Sequence, residues 1–109
     1  MKYLMLVCHD VAFEPSAEVM AETAAWVEEM DGRGVRLTGE RLRPAQDATS
    51  VRVRQGEVVI SDGPFAELKE QIAGFDLLDC ANLDEAIEVA SKHPAARLGS
   101  IEVRPFWTG

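Results

Sequence analysis

The sequence predicts a ferredoxin-like α+β sandwich, two βαβ units whose helices cover one face of a mainly antiparallel sheet. Three observations lead there. Apolar runs of strand length alternate with stretches of helical period, in the order β, α, β, two hairpin strands, a short helical turn, β, α, β. The helical stretches carry start and stop signals of their own. No Pro/Ser-rich linker, internal repeat or low-complexity tract divides the 109 residues, so they read as one domain, residues 1–109, whose core a partner subunit would help to complete.

Lys2 to His9 is a near-continuous apolar run, the pattern of a strand covered on both faces. Two helices can cover only one face of such a sheet. An identical subunit packed sheet to sheet is the economical cover for the other, which predicts a homodimer. Glu14-Pro15-Ser16 opens a helix with Val19, Thr23, Trp26 and Met30 on one stripe, Met20, Ala24 and Val27 beside it, and Glu18, Glu22, Glu28 and Glu29 outside. Trp26 and Met30 are read as core residues. Gly32 and Gly34 close the helix, and Val35, Leu37 and Gly39 then alternate with Arg36, Thr38 and Glu40 in a half-polar strand.

Val51 to Val53 and Val58 to Ile60 flank a turn at Gln55-Gly56. That turn pairs Val53 with Val58 and Val51 with Ile60 on one face and sets Arg54 opposite Glu57, so pattern, turn chemistry and charge agree on a hairpin. Asp62-Gly63-Pro64 makes a corner after Ile60, where Pro64 can open a helical run from Phe65 to Ile72. Phe75 to Ala81 is the next strand. Asn82 and Glu85 have capping-box spacing ahead of Ala86, Ile87 and Ala90; Lys92 and His93 suit that helix's carboxyl end, and Pro94 stops it. Ile101 to Phe106 alternates as a last strand.

Eleven Lys and Arg against 19 Asp and Glu give a formal charge of -8, which repels phosphate backbones and anionic lipid surfaces. Neither nucleic acid nor membrane is an expected partner. Cys8 and Cys80 lie in apolar strands and form no secreted disulfide framework; a reduced, cytoplasmic protein is expected. No zinc-ligand spacing, phosphate loop or nucleophile triad stands in the chain, so no metal or cofactor is expected.

The stretch Asp62-Gly63-Pro64-Phe65 resembles the DGPF signature of the YCII-related family. The likeness extends through Met1 to Leu6, Thr38-Gly39-Glu40-Arg41-Leu42, Ala73-Gly74-Phe75, His93-Pro94-Ala95-Ala96-Arg97 and Ile101 to Pro105. It implies a dimeric α+β barrel with a cavity between sheet and loops. It also implies either lyase- or isomerase-like acid–base activity on a cyclic or phenolic metabolite, or a non-catalytic regulatory module in a sigma-factor setting. A His–Asp pair, with its His on or near the first helix, is proposed for the wider family; no histidine lies between Pro15 and Gly34 here, and His9 and Asp62 stand at strand ends instead.

The candidate catalytic residues are Asp62, Glu40 and His9. Gly63, Phe65 and Lys69 at the corner, with Arg104 on the last strand, are candidate substrate-binding residues. If the polar strand faces line the cavity, Glu40, Asp62 and Arg104 supply a base, an acid and an anion anchor. The plainer readings are that Asp62 caps its turn, that Glu40 and Arg104 form an ordinary ion pair, and that His9 faces solvent.

Overall fold

Local signals start and stop most elements where the pattern predicts. The computed structural model describes residues 1–64 and 70–107. After β1 (Lys2–Asp10), the Ser16 hydroxyl accepts the Val19 N–H at 3.2 Å and opens α1 (Ala17–Gly32). β2 (Arg36–Arg41) leads into the hairpin of β3 (Thr49–Arg54) and β4 (Glu57–Asp62). Its register is the predicted one, with Val53 on Val58, Val51 on Ile60 and Arg54 on Glu57. Gln55 and Gly56, at φ 51° and 77°, are both left-handed, as a two-residue turn of matching twist requires.

Beyond the hairpin come β5 (Glu70–Asp79), α2 (Leu83–Ser91), α3 (Ala95–Leu98) and β6 (Ser100–Pro105). Asn82 Oδ1 accepts the Glu85 N–H at 3.0 Å, while the Glu85 carboxylate reaches back to the Ala81 N–H at 2.9 Å, one residue short of a strict capping box. Of the helical run expected from Phe65 to Ile72, Phe65 to Lys69 lie outside the described residues, and Gln71 and Ile72 belong to β5. That strand therefore begins before the expected Phe75 and ends at Asp79. Pro94 ends nothing by itself: α2 has stopped at Ser91, and Pro94 precedes the short α3.

Four strands form an antiparallel sheet in the order β2-β5-β1-β6, and β3-β4 is a separate two-stranded sheet. This is the expected ferredoxin-like α+β arrangement. On the helix-covered face Tyr3, Met5 and Leu78 pack with Trp26, Met30, Ala86 and Val89, all nearly solvent-free. The Trp26 indole N–H, buried with them, donates to the Val89 carbonyl at 2.9 Å. On the opposite face Leu4, Leu6, Phe75 and Leu77 sit side by side, half-buried and uncovered by either helix.

Two irregularities set which side chains meet. The register slips at Leu37 in β2 and at Ala73 in β5. Beyond the Leu37 slip Glu40 pairs with Phe75 and so belongs to the open face, whereas Arg36 pairs with Leu78 and lies under the helices. Simple alternation put Arg36 and Glu40 on one face; the bulge separates them.

Candidate functional site

Between the first half of α1 and the sheet the chain leaves a cavity of about 260 Å³. Val19, Met20, Thr23 and Val27 roof it; Val7, Ala73 and Gly74 are its small, apolar floor. Residues that small at the ends of β1 and β5 cannot fill the space beneath a helix, so the core that closes around Trp26 and Met30 opens here. Phe13 and Pro15 form one rim, and His93, Pro94 and Leu98 the opposite wall.

Into this apolar space project a few polar groups. Asp76, whose side chain is 8% exposed, accepts from Arg36 Nε at 2.8 Å. The rest of the Arg36 fork is spent on Asp31, at 3.1 Å, and on the Gly39 carbonyl, at 3.1 Å. Gly39 is what lets β2 come so close, since a Cβ there would collide with both the carboxylate and the guanidinium. Burial pushes the Asp76 carboxyl above the ordinary carboxylate range, and Arg36 pulls it back only in part.

His93 forms the second polar point. Its Nδ1 accepts the Ala95 N–H at 3.0 Å and its ring meets Trp26 edge-on, with centroids 4.9 Å apart. Burial lowers its pKa to about 4. The ring is therefore neutral at pH 7 with its proton on Nε2; His93 stands just past the carboxyl end of α2, as the sequence predicts, but gives that end no charge. No fully buried side-chain nitrogen or oxygen among the described residues lacks a partner. Among the described residues Asp76 Oδ2 and His93 Nε2 have no hydrogen-bond partner, and both residues line the cavity.

His9 stands at the rim, packed on Phe13 at 5.0 Å. Its Nδ1 lies 3.0 Å from the Asp10 carbonyl, which can only accept, so Nδ1 is the donor of that bond, and Nε2 has no hydrogen-bond partner among the described residues. Glu40 also borders the cavity, although its register sends the side chain toward the other face.

The other sequence candidates stand apart from these. Asp62 closes β4 opposite Thr49, exposed on the hairpin sheet. Gly63 follows at φ 91°, its N–H donating to the Ala48 carbonyl at 2.7 Å and its carbonyl accepting from the Ser50 hydroxyl at 2.6 Å, so its described bonds tie it across to the β3 side of the hairpin. Arg104 lies on the open sheet face opposite Leu4 and pairs with Glu102 at 3.7 Å, not with Glu40. Phe65 and Lys69 are outside the described residues. Sequence reasoning passed over Asp76 and His93. The signal for Asp76 was available: a carboxylate between Phe75 and Leu77 in an otherwise apolar run.

Among the described residues no three His, Cys, Asp or Glu side chains cluster as metal ligands. Nor is any helix there long and apolar enough to cross a membrane. Cys8 and Cys80 are free, and burial pushes both thiols up, away from reactive thiolates.

Fold and cavity together define a small α+β sandwich protein with a single-ring-sized pocket under its first helix. The chain belongs to the YCII-related domain family, which matches residues 1–108. An uncharacterised protein of Rhizobium meliloti (strain 1021) is 41% identical over 101 residues, covering 77% of this chain and 82% of the relative. Among solved structures, 5-chloro-2-hydroxyhydroquinone dehydrochlorinase from Burkholderia phenoliruptrix AC1100, in complex with 2,5-dihydroxybenzoquinone, superposes over 100% of this chain and 96% of its own. The TM-score is 0.55 at 14% identity, a likeness of fold.

Proposed function

We propose that this protein binds a single-ring, phenolic or cyclic metabolite in the cavity beneath α1 and moves protons on it, in the manner of a lyase or isomerase. The observation that carries this reading is that Asp76 and His93, whose Oδ2 and Nε2 have no hydrogen-bond partner among the described residues, both line a mainly apolar cavity. An apolar cavity of roughly 150 Å³ already holds a benzene ring. The larger volume here leaves room for ring substituents. The quinone in the dehydrochlorinase complex is a ring of that size.

Each polar group then has a task. A carboxyl held high by burial gives or takes a proton near the working pH more readily than an exposed one, which suits Asp76 for proton transfer. Neutral His93 offers an N–H to an oxygen that gains negative charge as a hydroxyl ionises. His9, with Nε2 free at the rim, is the group to pass the proton on to solvent. Asp62 and Arg104 enter this reading only through a second copy of the chain, packed on the apolar face of Leu4, Leu6, Phe75 and Leu77. The hairpin favours that homodimer too, because Val51, Val53, Val58 and Ile60 share one face and are 55–65% exposed.

Thermal shift against phenols, hydroquinones and lactones tests the reading. A ligand at a hundred times its Kd adds about 2.7 kcal/mol, and at roughly 4–8 °C per kcal/mol that is ten degrees or more. Val19→Trp, which fills the cavity from the helix side, should abolish the shift. Asp76→Asn should retain binding and lose turnover. A panel in which no ring compound moves the melting temperature would remove the cavity reading.

A further inference from the structure

Arg41 lines the cavity on the β2 side and is the cation there without a partner among the described residues. Arg33, Arg36, Arg43, Lys92, Arg97 and Arg104 each hold a carboxylate. The Arg41 side chain makes no hydrogen bond or ion pair with any described residue, although the chain carries 19 acidic residues. Neighbouring Glu40 does not neutralise it, because successive strand side chains point to opposite faces. Arg41 pairs with Gly74 and so projects on the helix-covered side, over the cavity floor.

The other guanidinium of the site is already engaged. All three nitrogens of Arg36 hold acceptors, on Asp76, Asp31 and the Gly39 carbonyl, and Asp76 repels negative charge from the inner end. An anionic ligand entering a protein of charge -8 thus meets, among the described lining residues, one guanidinium without a carboxylate partner, Arg41. The register also supplies the spacing. Asp76 pairs with Gly39, two residues before Arg41, so strand rise and strand spacing set the two backbones about 8 Å apart. A para-substituted benzene ring spans such a gap once both side chains reach inward.

We infer that the ligand of this cavity is a hydroxylated single-ring carboxylic acid, its carboxylate held by Arg41 at the mouth and its hydroxyl turned inward to Asp76 and His93. The inference rests on the cavity reading above and names its substrate class. A planar fork of N–H donors matches a carboxylate with two parallel hydrogen bonds, which fixes the ring's orientation as well as adding affinity.

Titration calorimetry with 4-hydroxybenzoate and phenol, on the wild-type protein, Arg41→Gln and Val19→Trp, separates the two claims. The expected result is that 4-hydroxybenzoate binds at least tenfold tighter than phenol, that Arg41→Gln erases this difference, and that Arg41→Lys restores part of it. Val19→Trp should lose both ligands. Because the Arg41 side chain is exposed and makes no bonds to described residues, its variants should keep the wild-type circular dichroism. Equal affinity for the acid and the phenol, or an acid that binds Arg41→Gln as well as wild type, overturns the carboxylate anchor and leaves the cavity reading standing. If neither compound binds the wild-type protein, both fall.

Discussion

His93 shows how burial at one residue becomes a property of the whole chain. Unfolded, its imidazole takes a proton near pH 6.5; folded, only near pH 4. Between those values the unfolded state binds more protons, so stability falls as pH drops, by about 3 kcal/mol across the full window. Asp76 works in the opposite sense: its raised carboxyl favours the folded state at low pH, and that contribution is lost as pH rises through its folded value. His93→Asn keeps an acceptor for the Ala95 N–H and removes the titration. Its urea midpoint should fall less between pH 7 and pH 5 than the wild type's; equal falls would assign the slope to other groups. Gly39 is the second residue with reach beyond itself. Gly39→Ala should cost about 1–3 kcal/mol by overpacking the Arg36–Asp76 pair, read as a lower melting temperature.

At the scale of elements, the hairpin is governed by its turn and the β2–β5 pair by its bulge. Gln55 holds a positive φ that Asn tolerates better, so Gln55→Asn should stabilise the hairpin by about 0.5–1 kcal/mol. Hydrogen exchange at the β3–β4 amides should slow roughly two- to fivefold in proportion; unchanged exchange would mean that the turn does not limit opening. The Leu37 bulge has the larger chemical effect, since it turns Arg36 inward to Asp76 while leaving Glu40 on the open face. The placement of Asp62 on the separate hairpin leads to a plain expectation. Asp62→Asn should leave the ligand-induced thermal shift at its wild-type size, and a lost shift would draw the hairpin into the site.

For the whole molecule the governing fact is a half-buried apolar sheet face that no described helix covers. The chain is a slab only 19 Å through its shortest axis, with helices on one side and the Leu4, Leu6, Phe75 and Leu77 surface on the other. Sedimentation equilibrium should therefore return twice the 12.0 kDa chain mass, and Leu6→Arg, which places a charge at the centre of that face, should return the monomer with its secondary structure intact. A wild-type monomer at micromolar concentration would exclude the homodimer. The sequence by itself determined the order of the six strands and two longer helices, the caps at Ser16 and Asn82 and the hairpin register, because each depends on residues a few positions apart. It also showed His9 and Glu40, which do border the cavity. Only the tertiary structure decided that Asp76, His93 and Arg41 share that cavity. Their meeting depends on β5 lying between β1 and β2, on a bulge that no local pattern marks, and on a helix held off a floor of small residues.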